Sequence, residues 1–128
     1  MTEKQIFKNL ANIMSLHGGQ LYRMENRIGI GTPDTHYSFD QGNSGWVELK
    51  QISKQIKNRK KVTVPYRPGQ IGWLKKYNGR KYVLLYMDEM YYLLTSFQRK
   101  YETMNSFLRD VIWLGEKLDK NLLAALRG

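Results

Sequence analysis

Thr32–Lys50 reads TPDTHYSFDQGNSGWVELK, and its interpretation decides the fold. Asp40-Gln41-Gly42-Asn43-Ser44-Gly45 is dense in turn formers, so it separates two extended segments. His36–Phe39 is the first of these, and Trp46-Val47-Glu48-Leu49-Lys50 is the second. Side chains alternate across a strand, so Val47 and Leu49 share the core-facing side. Trp46, Glu48 and Lys50 share the other. An acid and an ammonium therefore stand side by side where apolar residues would serve the fold better. Asp34 enters from the neighbouring bend, after Pro33, which cannot donate to a ladder.

Outward from this stretch, the chain alternates between helix and strand. Thr2 is placed to cap a first helix, Glu3 suits its positive end, and Ile6, Leu10, Ile13 and either Met14 or His17 form one stripe. Gly18-Gly19 ends it. Gln20–Ile30 alternates as a strand, with Tyr22, Met24, Ile28 and Ile30 on one side. Ser53–Lys61 is strongly basic and reads as a solvated loop or helix end. Two prolines then lead into a helix over about Gly69–Tyr77. Lys81–Met87 and Met90–Leu94 flank Asp88-Glu89 as a β-hairpin. Thr103–Arg127 reads as helical. The sum is α–β–β–β–α–β–β–α, an α/β fold with a mixed central β-sheet flanked by helices.

The 128 residues suffice for one domain, residues 1–128, and 41% are hydrophobic, enough for a core. There is no cysteine, which excludes disulfides, thiolate metal sites and a thiol nucleophile and fits a reducing cytoplasm. Only His17 and His36 could supply imidazole, too few for a multi-histidine zinc site. No apolar run is long enough for a bilayer, and the N-terminus lacks the apolar core of a signal peptide. Lys and Arg number 21 against 11 Asp and Glu, a net charge of +10. Such an excess points to a polyanion, nucleic acid before a membrane surface.

Two carboxylates on adjacent strands can hold a hard cation such as Mg²⁺. A lysine beside it can orient a water or neutralise charge on a phosphate. His36 is a poorer candidate ligand, since Mg²⁺ prefers oxygen. Glu25 can pair with Arg23 or Arg27 along its strand. On the second helix, Gln70, Trp73, Leu74 and Tyr77 share one face, which turns an amide toward the sheet.

Gly-Thr-Pro-Asp at 31–34 followed by Gly45-Trp-Val-Glu-Leu-Lys50 resembles the signature of the PD-(D/E)XK nuclease superfamily. The similarity is strongest to its small VRR-type and phage-encoded members, related to Holliday-junction resolvases. Residues 22–34 and 66–87 extend the resemblance, so it covers most of Gln20–Leu94. It implies a restriction-endonuclease-like core and a metal-dependent DNA endonuclease acting in a cell's cytoplasm (a host cell's, if phage-encoded). Asp34 and Glu48 would bind Mg²⁺ or Mn²⁺, with the Leu49 backbone carbonyl as third protein ligand. Lys50 would be the catalytic lysine and Gln70 an auxiliary residue. Glu3 matches an acidic position that can reach the metal or its water.

Lys54, Lys57, Arg59, Lys60, Lys61 and Arg67 follow the catalytic strand and can contact phosphates without reading bases. Recognition by DNA structure, branched or junction forms included, is therefore expected over base readout. A homodimer is open, since related resolvases dimerise. The competing readings are a non-catalytic DNA-binding module on the same fold and a basic adaptor with no divalent-ion dependence.

Overall fold

The computed structural model describes residues 1–24, 31–52 and 61–128. Its elements run α1 (Glu3–Leu16), β1 (Gly19–Arg23), β2 (Thr35–Phe39), β3 (Ser44–Ile52), β4 (Val62–Thr63), α2 (Gln70–Lys76), β5 (Lys81–Met87), β6 (Met90–Leu94), β7 (Lys100–Tyr101), α3 (Met104–Leu108), β8 (Val111–Gly115) and α4 (Lys120–Arg127). The protein is α/β, as expected. Six strands form a mixed sheet in the order β1-β2-β3-β5-β6-β8, and β4 and β7 form a separate two-stranded ribbon. Among the described strands only β3 and β5 run parallel, which requires the crossover that carries α2.

Local chemistry accounts for the element ends. Thr2 and Gln5 make a reciprocal capping box at the start of α1. Its buried stripe is Ile6, Leu10 and Met14. Asp88 and Glu89 both take positive φ, 53° and 62°, in the two-residue turn joining β5 to β6. That geometry matches the twist of an antiparallel pair.

The expected helix over Thr103–Arg127 is replaced by α3, β8 and α4. Val111-Ile112-Trp113 is β-branched and aromatic, and it pairs with β6 across Leu93 and Leu94. A five-residue apolar run is too short for periodicity to tell strand from helix, and the vacant edge of β6 decides it. Asp119 then caps α4 through the Asn121 and Leu122 amides. The expected strand over Gln20–Ile30 is described only to Arg23, since 25–30 lie outside the described residues, as Glu25 does.

Both sheet faces are covered. Val47, Leu49, Tyr37 and Leu84 pack under α1 and α4. Val83, Leu85 and Leu94 pack on the other side with Leu74 of α2, Phe107 of α3 and Tyr101 of the ribbon. The face of β3 that carries Glu48 and Lys50 therefore looks into protein. Among the described residues no helix is long and apolar enough to cross a membrane.

Candidate active site

β3 sits between β2 and β5, and it buries Glu48 to 0% and Lys50 to 3% exposure. Charged side chains are almost never this buried unless paired. Lys50 Nζ lies 3.1 Å from Glu48 Oε2, and a terminal nitrogen of Arg67 lies 3.7 Å from the same oxygen. Neither contact is aligned as a hydrogen bond, and both Glu48 oxygens lack a well-formed one among the described residues. Burial pushes the Glu48 carboxyl above the usual carboxylate range. Lys50 opposes that shift, Asp34 adds to it, and the Gln70 amide opposes it.

Asp34 stands just before β2. β2 pairs with β3 as His36 to Trp46 and Ser38 to Ser44. Carried two residues further, this register sets Asp34 opposite Glu48 on the same face. The Asp34 carboxylate is half-buried, 4.0 Å from Arg23, and its main-chain carbonyl accepts from the Met24 amide.

The Leu49 carbonyl can be placed by alternation. The Trp46 amide donates to the Arg80 carbonyl at the β5 side. Even-numbered β3 residues thus turn their backbone groups toward β5, and Leu49 turns its carbonyl toward β2. Were the β2 ladder to continue, its partner there would be Pro33, which has no N–H to give. The carbonyl of Leu49 accordingly points toward the same gap as Asp34.

Gln70 opens α2 and is 1% exposed. Its Oε1 accepts the Arg67 amide at 2.7 Å, which fixes the side-chain orientation. Among the described residues its Nε2 is buried without a well-formed hydrogen bond, and the amide beside Glu48 opposes the rise of that carboxyl's pKa. The loop before α2 is held by a close backbone approach. Gly31 has φ 89°, and a Cβ there would lie 2.1 Å from the Gly69 carbonyl oxygen. Gly31→Ala is therefore expected to cost at least about 2 kcal/mol, from the left-handed backbone and the collision together. Urea denaturation checks this; an unchanged midpoint would mean that the Asp34 loop is not seated on α2.

The remaining expected residues divide. Arg67 reaches Glu48, while Lys61 pairs with Glu102 at 3.3 Å on the surface. Lys54, Lys57, Arg59 and Lys60 lie outside the described residues. Glu3 is half-buried on α1, which packs against the opposite sheet face. Among the described residues no three of His, Cys, Asp and Glu converge as a metal cluster, so Glu3 does not complete one with Asp34 and Glu48. His36 instead meets Trp46 edge to face at 4.9 Å, and Trp46 meets Trp73 at 5.8 Å.

Tyr66 is a neighbour that the sequence analysis did not select. Among the described residues its phenol is buried without a well-formed hydrogen bond, and burial, with Glu48 next, raises its pKa. The signal was present: Lys61-Val-Thr-Val-Pro-Tyr-Arg67 alternates outward and inward, which turns Tyr66 inside.

A divalent cation fits this donor set. Two carboxylates and one main-chain carbonyl are hard oxygen ligands, and Mg²⁺ commonly keeps several waters beyond such a partial set. The buried, poorly satisfied oxygens of Glu48 are what such an ion would compensate. No protein-family model, curated protein or solved structure gives a significant match to the chain.

Proposed function

We propose that the chain is a metal-dependent DNA endonuclease with a restriction-endonuclease-like core. The observation that carries the reading is the burial of Glu48 beside Lys50 on β3, with Asp34 in register across the gap and Gln70 closing from α2. A fold gains little from an acid and an ammonium at these positions, because desolvating both offsets most of their attraction. Chemistry on an anionic substrate gives them a purpose.

Asp34, Glu48 and the Leu49 carbonyl would hold Mg²⁺ or Mn²⁺. When bound, the ion would polarise the phosphate and lower the pKa of a coordinated water. The chain's own part is then positioning and charge. Lys50 orients the attacking water or stabilises the charge that builds on the phosphate as the new P–O bond forms and the old one breaks. Gln70 and Arg67 favour the charged form of the Glu48 carboxylate. One chain carries one such site and would cut one strand at a time, so symmetric cleavage would need two copies.

A panel of linear, flapped, splayed and four-way DNAs, incubated with Mg²⁺ or Mn²⁺ against EDTA, tests this. Cleavage that requires the ion is expected. DNA bound but never cut would favour the non-catalytic module, a reading to which Arg67 lends support by sitting where it can neutralise Glu48 unaided. Calorimetry adds a second check: wild type should bind Mn²⁺, and the Asp34→Asn, Glu48→Gln double variant should not. Equal heats from both would refute the site.

A further inference from the structure

The ribbon of β4 and β7 carries a charged outer face that leads to Glu48. From Lys61 to Arg67 the chain alternates exposed and buried, so Lys61, Thr63 and Arg67 all face outward. Val62 pairs with Tyr101 and Thr63 with Lys100. The pairing sets Lys100 beside Thr63 on the open face. The Val64 amide donates to the Arg99 carbonyl, and the Arg99 guanidinium donates to the Tyr66 carbonyl at 2.8 Å. Arg99 thus lies opposite the buried Val64, at the edge of the ribbon, and fastens the turn that leads to Arg67. Arg67 is half-exposed, yet its guanidinium reaches within 3.7 Å of the fully buried Glu48. It thus joins the surface to the site.

The acid on this face, Glu102, lies 3.3 Å from Lys61 and 4.0 Å from Lys100. All three side chains are more than half exposed. Ion pairs of this kind are weak and screened, so a phosphate can displace the carboxylate.

We propose that the outer face of the β4–β7 ribbon is the surface on which the sugar–phosphate backbone of the DNA lies, with Arg67 at its inner end. The proposal rests on the nuclease reading for the direction of the strand toward Glu48. Lys100 is its new member, brought from the far side of the sequence by strand pairing. The face offers cations and a hydroxyl, the groups that phosphate oxygens accept from. It therefore fits the duplex backbone. Glu102 competes with the phosphate for Lys61 and Lys100.

The test is fluorescence anisotropy of a short labelled duplex across a salt series, in EDTA so that nothing is cut. Lys61→Ala, Lys100→Ala together should raise Kd roughly tenfold at moderate salt. The slope of log affinity against log salt should shrink by about 2, near 0.9 per lost phosphate contact. Lys100→Ala alone, which removes no hydrogen bond from the fold, should shrink it by about 1. Glu102→Gln should bind about threefold tighter, since two lysines are released to the phosphates. Wild-type affinity and slope in the double variant, or a Glu102→Gln protein no tighter than wild type, would overturn the proposal. Ribbon-dependent binding with no cleavage in Mg²⁺ or Mn²⁺ would leave this surface standing and sink the nuclease reading. Ion-dependent cleavage indifferent to these substitutions would do the reverse.

Discussion

Lys50→Met is expected to cleave DNA roughly a hundredfold slower than wild type, or worse, under single-turnover conditions. The substitution keeps most of the stem and removes the ammonium. An ammonium has no lone pair for a metal, so the substitution removes no ligand and Mn²⁺ should still bind. DNA affinity should fall by about one phosphate contact. A hundredfold loss of rate corresponds to about 2.7 kcal/mol of transition-state stabilisation, far above the 0–1 kcal/mol typical of an exposed pair. The contrast between a large rate effect and small binding effects is what separates a catalytic ammonium from a structural one. A folded, DNA-saturated Lys50→Met enzyme turning over at the wild-type rate would end the catalytic role of this lysine.

The alternation in Trp46–Lys50 was enough to place Glu48 and Lys50 together, opposite Val47 and Leu49. It could not say what covers their side of the sheet. Alternation reports the direction of a side chain, whereas burial depends on segments that arrive later, here Tyr66, Arg67, Gln70 and Leu74. Glu48 is thereby fully enclosed. The same limit explains β8. Val111–Gly115 is strand because β6 offers it an edge, and that edge is a tertiary fact. It also explains Arg99 and Lys100, whose neighbours Thr63 and Tyr66 lie more than thirty residues away. The Gly31 contact was half legible: a glycine before Thr-Pro-Asp suggested a bend, but only the seated loop shows the Gly69 carbonyl against it.

Removing one member of the buried pair should cost far more than removing both. Lys50→Met leaves the Glu48 carboxylate enclosed without its closest cation, and Glu48→Leu leaves the Lys50 ammonium enclosed without its acid. Each single substitution is expected to destabilise by about 3–5 kcal/mol near neutral pH. The Glu48→Leu, Lys50→Met double variant should recover to near wild type or beyond, because an apolar pair of similar volume carries no desolvation cost. Acidity should separate the singles. Burial already holds the folded Glu48 carboxyl above its ordinary value of 4.5, and deleting Lys50 deletes the main opposing influence. A raised folded-state pKa means that the folded protein holds a proton which the unfolded chain releases. Stability of Lys50→Met should therefore climb as pH falls from neutrality toward 4.5, through the folded-state pKa of Glu48. Glu48→Leu has no carboxyl at that position and should show no such climb. Urea midpoints in EDTA at about pH 8 and about pH 5.5 measure both effects. If both single variants lose less than about 1 kcal/mol and respond alike to pH, Glu48 and Lys50 behave as a solvated surface pair, and the enclosed site on β3 fails with them.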